Sequence, residues 1–479
     1  MRTYQNLVGG RWRAARSGET IEMVCPSDGK VYAAIARSRQ QDVDEAVAAA
    51  RATFEGAWGR TPAVERGRLL HKLGLAVLEH HEELAQLEAR DTGKPMSQAR
   101  GDITATARYF EFYGASADKL HGEQIPFLEG YTVFTTREPL GVTGHIVPWN
   151  YPAQIFGRSV GASLAGGNAC VAKPAEDACL TLLRIAELAL EVGFPEGALN
   201  VVTGLGEEAG APLAGHPDID FVSFTGSPEV GTLVQQAAAR NHIGCTLELG
   251  GKSPQVIFAD ADLDALVPVV VNAIVQNGGQ TCSAGSRVLV EQSVYDEVTG
   301  RIAERFAQVR VGSHEMDLDL GALINAKQAQ RVQGFIDRAE AEGLPVLARG
   351  QLAEGLPAGG FYVRPALFGQ VPRSNSLACE EVFGPVLAAF PFADEADAVA
   401  LANGGPFGLV SGVWTRDAGR AMRMARAMRT GQVFVNGYGA AGGIELPFGG
   451  FKHSGHGREK GFEGLYEFTA TKTIVLRHG

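Results

Sequence analysis

Nowhere in the 479-residue chain is there an apolar run long enough to cross a bilayer. The most apolar stretch, ALVPVVVNAIV from Ala265, is shorter than the ~20 residues a span needs and is interrupted by Pro268 and Asn272, so it predicts a buried helix. The opening MRTYQNLVGGRW has neither an apolar signal core nor an Arg/Ser-rich transit character, and a cytoplasmic address is expected. Cysteine is sparse: Cys25, Cys170, Cys179, Cys245, Cys282 and Cys379 form no C-x-x-C pair and no dense cluster, which excludes a disulfide framework or a cysteine-built metal site and predicts reduced thiols. There is no dense basic run. With 43 Lys+Arg against 54 Asp+Glu the net charge is −11, which disfavours nucleic acid or anionic lipid as a partner and favours a small molecule. Internal repeats, low-complexity segments and charge blocks are likewise missing.

What is present is the composition of a globular protein, 45% apolar and 20% charged, in a chain too long for one core, so two or more domains are expected. Val43, Ala46, Val47, Ala50 and Phe54 form a helical stripe from Asp42 to Trp58, with Asp42 and Glu45 spaced as a capping box. A second helix is predicted from about Val64 to Arg90, with Leu70, Leu73, Val77, Leu84 and Leu87 inward, ending at Gly93 and Pro95. Beyond the period-2 stretch YTVFTTRE, short runs (GVTGHIV, ACVAK, LNVV, DFVSF, PQVIF) alternate with helix-like segments, the pattern of βαβ units around a parallel sheet. A similar alternation resumes after Cys282, which predicts a second α/β domain.

Five short strings carry candidate chemistry. VVTGLGEEAG and FTGSPEVG put glycines just after strands, where a helix N-terminus can face a pyrophosphate, although neither has the G-x-G-x-x-G spacing and each could be a plain turn. VPWNYP places Asn150 between a strand and Pro152, a natural first residue of a helix. LELGGKSP sets Glu248 at a strand end before Gly250 and Gly251, and NGGQTCSAGSR surrounds Cys282 with small residues that leave a thiol accessible.

Taken in order with KPAE, EEVFGPV and PFGGFKHSGHGRE, these strings span nearly the whole chain and resemble the aldehyde dehydrogenase superfamily. The resemblance implies an α/β fold with a Rossmann-like NAD-binding domain (1–119 and 139–248), an α/β catalytic domain (249–461) and a small β oligomerisation arm (120–138 and 462–479), assembled as a homodimer or homotetramer. It implies NAD-dependent oxidation of an aldehyde to a carboxylic acid, with Cys282 as nucleophile, Glu248 as general base and Asn150 as oxyanion donor. For the cofactor it implies Lys173 and Glu176 at the adenosine ribose and Glu381 at the nicotinamide ribose. Phe383 is expected beside that ring, Gly206, Gly226 and Ser227 near the phosphates, and Trp149 on the cleft wall. A carboxylate at Glu176 accepts from a 2′-hydroxyl and repels a 2′-phosphate, so NAD is expected over NADP.

Arg158 lies about two turns into the helix expected at Pro152, where it can line a substrate tunnel and match a carboxylate, as in the succinate-semialdehyde enzymes it resembles there. An acidic or polar far end of the substrate is therefore expected. Gln276 stands where those enzymes carry a second arginine, Ser159 where a lysine is common, and Glu445 is placed to neutralise Arg158 or favour an amino-aldehyde. Tyr151 is expected to add a hydroxyl to the tunnel wall, and the loop NGYGAAGGIELPF from Asn436 offers Tyr438 among otherwise small residues. The alternatives are a broad-specificity aliphatic or aromatic aldehyde dehydrogenase, a cysteine esterase sharing Cys282 and Glu248, and a non-catalytic homologue. A CoA-acylating variant would lack Glu248.

Overall fold

The computed structural model describes residues 1–439 and 443–479. Its first large sheet has a core of parallel strands, Val142–Val147, Ala169–Pro174, Leu199–Val201, Phe221–Thr225 and Gly244–Glu248. In chain order these lie 5-4-1-2-3 across the sheet, the doubly wound order, so the chain reverses direction at the first strand. Three short strands extend its edges, Asn6–Val8 and Arg11–Arg13 on one side and Gly455–His456 on the other. The parallel strands are buried on both faces, which is why they read as continuous Val/Ala/Phe runs without alternation.

A second sheet of seven strands is built likewise around Pro254–Ile257, with Arg287–Glu291 on one side and Val410–Trp414 on the other. The third notable sheet pairs Tyr131–Pro139 antiparallel with Thr469–Arg477, from Pro139↔Thr469 to Tyr131↔Arg477, and adds Gln124–Ile125. Phe134, Ile474, Val475 and Leu476 stay exposed on it.

Three local expectations need correction. The predicted helix over Val64–Arg90 is two helices, Ala63–Glu79 and His81–Thr92, joined at His80, whose φ/ψ of −99°/21° leaves the helical region. Inward leucines continue on both sides of the break, so periodicity does not register it. In the Gln40–Glu55 helix, Asp42 is the N3 partner, accepting from the Arg39 N–H at 2.9 Å, and not the cap itself. The apolar Leu263–Val275 helix buries one face only, with Pro268 and Asn272 at the surface. No helix among the described residues is long and apolar enough to cross a membrane.

Candidate active site

Loops at the carboxyl ends of the first sheet's strands gather where the strand order reverses, the place where an open α/β sheet leaves a crevice. Trp149 and Asn150 follow the Val142–Val147 strand, Gly226 and Ser227 follow Phe221–Thr225, and Glu248 ends Gly244–Glu248. From the second sheet's side come Cys282, Glu381 and Phe383. Together they wall a cavity of about 540 Å³. A second cavity, about 370 Å³, is lined by Tyr151, Arg158, Gln276, Tyr438, Phe448 and Lys460. Cys282 and Asn150 line both, so the sulfur stands where the two meet.

Cys282 is half-buried, and what it exposes faces these cavities and not open solvent. Burial therefore pushes its thiol up to about 12, with Arg158 and Lys460 pulling the other way and Glu248 and Glu381 adding to the rise. Small neighbours give access, as expected, but they do not by themselves make a thiolate. Hydroxyls brace the loop on both sides: Tyr151 bonds Thr281 at 2.9 Å and Tyr438 donates to the Ser283 carbonyl at 2.7 Å. From below it is supported by the glycine pair. A Cβ on Gly251 would lie 2.1 Å from the Cys282 carbonyl oxygen, and one on Gly250 would lie 2.4 Å from a Glu381 oxygen. Glu381 in turn accepts from the Gly251 N–H at 2.7 Å, and burial raises it to about 7.

Glu248 is 1% exposed, and neither carboxylate oxygen receives a hydrogen bond from the described residues. Burial and then the Glu459 carboxylate hold its pKa well above the ordinary value, while Arg158 opposes them. Asn150 is buried, and its side-chain Nδ2 donates to the Gln280 carbonyl at 3.0 Å, which uses one of its two N–H groups.

The larger cavity suits a dinucleotide. Ser227 caps the Pro228–Arg240 helix, accepting from the Val230 N–H at 3.3 Å, so the helix N-terminus opens onto the cavity wall. Gly226 beside it leaves room a Cβ would fill at 2.5 Å from the Phe224 ring. The Trp149 and Phe383 rings meet edge-on, 5.4 Å apart. Lys173, Glu176 and Gly206 do not line this cavity. Lys173 is the penultimate residue of the Ala169–Pro174 strand and pairs with Glu176 at 3.0 Å, and Gly206 opens the Gly206–Gly210 turn after the Leu199–Val201 strand. They are thus at the same sheet edge, farther along it.

The expected substrate residues fare differently. Tyr151, Tyr438 and Gln276 line the smaller cavity, while residues 440–442 of the entrance loop lie outside the described residues. Arg158 also lines it, but its guanidinium is ion-paired with the buried Glu459, lies 5.3 Å from the Phe448 ring centre and reaches Thr225 Oγ1 at 3.4 Å. A charge already met by Glu459 is a poor carboxylate clamp. Glu445 does not neutralise it, being exposed and bonded to Arg108 at 2.6 Å. Ser159 turns back onto the Ile155 carbonyl at 3.0 Å.

Two residues had no assigned role. Glu459 closes the motif PFGGFKHSGHGRE, and only the antiparallel pairing Glu248↔Gly455 and Leu247↔His456 brings that segment against Glu248. Lys460, at a φ of +62°, lines the smaller cavity with its ammonium 5.1 Å from the Phe448 ring centre. Nothing local in sequence announces either position.

Residues 12–474 match the family model described as the aldehyde dehydrogenase family. Human retinal dehydrogenase 2 is 40% identical over 476 residues, covering 98% of this chain and 91% of that protein. A Burkholderia cenocepacia protein named provisionally as an aldehyde dehydrogenase superposes with a TM-score of 0.98 at 63% identity, over 99% of this chain and 100% of the other. PnpE of Pseudomonas sp. WBC-3, solved with nicotinamide adenine dinucleotide, gives 0.96 at 40% identity over 99% and 98%.

Proposed function

Since the chain belongs to the aldehyde dehydrogenase family, we propose that it oxidises an aldehyde with a polar far end to the carboxylic acid, using NAD and a Cys282 thioester. The observation that carries this reading is the position of Cys282 and Asn150 on both cavities, one suited to a dinucleotide and one with room for an aldehyde.

In this reading Cys282 attacks as the thiolate, its proton having passed to water in the cavity, and bonds the carbonyl carbon as the C=O π pair moves onto oxygen. The oxygen of that carbon becomes an oxyanion, held by the second N–H of the Asn150 amide and by the Cys282 backbone N–H, each donor of this kind being worth ~3–4 kcal/mol. NAD, when bound, supplies the hydride acceptor. Ser227 and Gly226 would hold its phosphates, Trp149, Phe383 and Glu381 its nicotinamide half, and Lys173, Glu176 and Gly206 its adenosine half. Glu248, with no donor on either oxygen among the described residues, takes the proton of the water that cleaves the thioester, a task its raised pKa suits. A cysteine esterase would use the same three residues and have no need of the larger cavity.

The smaller cavity's wall is rich in amides and hydroxyls, among them Gln98, Gln154, Gln276, Gln432 and Tyr438, and this supports a hydrogen-bonding substrate over a purely apolar one. The exposed apolar residues of the Tyr131–Pro139 and Thr469–Arg477 sheet, whose outer edge is unpaired among the described residues, support the arm as the surface joining subunits.

The test is NADH formation from succinic semialdehyde, an aminoaldehyde, hexanal and benzaldehyde, with NADP in parallel and Cys282→Ala as control. Cys282-dependent NADH with the polar aldehydes ahead in kcat/KM is the expected result. A lead for hexanal or benzaldehyde points to the broad-specificity enzyme, and turnover of esters but of no aldehyde points to the hydrolase.

A further inference from the structure

The residue that offers the oxyanion donor sits in a turn that can hardly hold itself. Asn150 lies between the strand ending at Val147 and the helix starting at Pro152, and Pro152 has no N–H with which to bond the turn. The Asn150 carbonyl is buried, where an unmatched acceptor is costly. Two side chains donate to it, Lys94 Nζ at 3.0 Å and Asn277 Nδ2 at 2.8 Å.

Lys94 is an unusual donor. The His81–Thr92 helix ends at Gly93 with φ +78°, and the next helix, Met96–Ser116, is capped by Pro95, so the residue between them turns inward. Its side chain has no exposure at all. The ammonium has three oxygens within reach, one for each of its N–H groups: Asp102 Oδ2 at 2.5 Å, the Asn150 carbonyl at 3.0 Å and Glu88 Oε1 at 3.5 Å. Both carboxylates also hold the helix that follows Asn150. Asp102 Oδ1 accepts from Gln154 Nε2 at 2.7 Å, and Glu88 Oε1 lies 3.5 Å from the Ala153 N–H. One buried cation thus ties the turn at its carbonyl and, through two acids, at the first turn of the helix beyond.

Burying an ammonium with two carboxylates is a poor way to gain stability, since desolvation offsets much of the attraction. It is a good way to fix geometry, and a misplacement of about 1 Å at a reacting centre can cost ~10²-fold. We propose that Lys94 is a positioning residue for the oxyanion donor, holding the Asn150 carbonyl together with Asn277 so that the Asn150 amide points at the oxygen on the Cys282-bound carbon. The inference rests on Asn150 being that donor.

The experiment is hydrolysis of 4-nitrophenyl acetate in the absence of NAD, read as 4-nitrophenolate release, because acylation of Cys282 by an ester raises the same oxyanion without the cofactor. Asn150→Ala, Lys94→Met and the double variant are compared, with the rate of Cys282 alkylation by iodoacetamide, which forms no oxyanion, measured alongside. Asn150→Ala lowers kcat by about 10²–10³-fold, the loss of one donor. Lys94→Met lowers kcat by about 10–100-fold with KM and alkylation rate nearly unchanged, and in the Asn150→Ala background it adds less than about threefold, because residues acting as a unit are not additive. Should Lys94→Met fail to fold with Asp102 stranded, Lys94→Met/Asp102→Asn carries the same comparison. If the two losses multiply, or if alkylation falls in step with kcat, Lys94 does not act through Asn150 and the inference is wrong while the oxyanion reading stands. If Asn150→Ala leaves ester hydrolysis untouched, both go together.

Discussion

Arg158→Leu separates two accounts of the same side chain. As a carboxylate clamp, Arg158 would matter chiefly for acidic substrates. As the partner of Glu459, it matters for the fold and for the charge around Cys282 and Glu248 whatever the substrate. Its side chain and that of Glu459 are both nearly fully buried, at 7% and 1% exposure, so the leucine variant leaves a carboxylate in the interior with, among the described residues, the Ser223 hydroxyl 3.1 Å away to bond it. Breaking a buried pair in this way costs about 3–5 kcal/mol, whereas removing both charges together is close to neutral. Arg158→Leu should therefore lower the urea midpoint of unfolding markedly, and adding Glu459→Gln should restore most of it. Kinetically, Arg158 lowers the pKa of both Cys282 and Glu248, so kcat/KM should fall alike for succinic semialdehyde and hexanal. With the nearest cation gone, Glu248 stays protonated to a higher pH, and the acid limb of the rate profile moves upward. A loss confined to succinic semialdehyde, with hexanal turnover and the unfolding midpoint unchanged, would refute the ion-pair reasoning and reinstate the clamp.

Other outcomes follow from the same geometry. Glu248→Gln should leave a first burst of NADH while steady turnover drops about 10²–10⁴-fold, since only thioester cleavage needs the base, and stopped-flow absorbance separates the two. Because the Cys282 thiol is pushed up to about 12, its alkylation by iodoacetamide without cofactor should still be rising about tenfold per pH unit at pH ~9. Lys460→Met removes a cation that lowers that pKa, and should slow alkylation at every pH below it. Gly251→Ala puts a methyl 2.1 Å from the Cys282 carbonyl oxygen and should cut kcat about 100-fold by displacing the loop, with NAD affinity, read by fluorescence titration, changed far less. Tyr438→Phe loses one bond to the Ser283 carbonyl, about 1 kcal/mol, read as a fall of about fivefold in kcat/KM.

The amino-acid sequence was sufficient for whatever is encoded within a few neighbouring residues. The βαβ alternation, the helix opening at Pro152 and the small-residue loop around Cys282 all follow from local periodicity and turn chemistry, and the order of the motifs along the chain pointed to the family that the match over residues 12–474 then established. The tertiary structure decided the partners. Arg158 read as a cation for the substrate because its helix face was visible, whereas Glu459 reaches it only through a strand that returns from the far end of the chain to pair beside Glu248. Lys94 read as part of a helix stop because Gly93 and Pro95 flank it, and only packing shows its ammonium under Asn150. The cysteine pKa is of the same kind: neighbours in sequence are small and suggest access, but burial is summed over everything within reach in space, and there the low-dielectric surroundings outweigh two cations. Local rules set most of the elements, though not the break at His80, and long-range pairing sets which charges face each other.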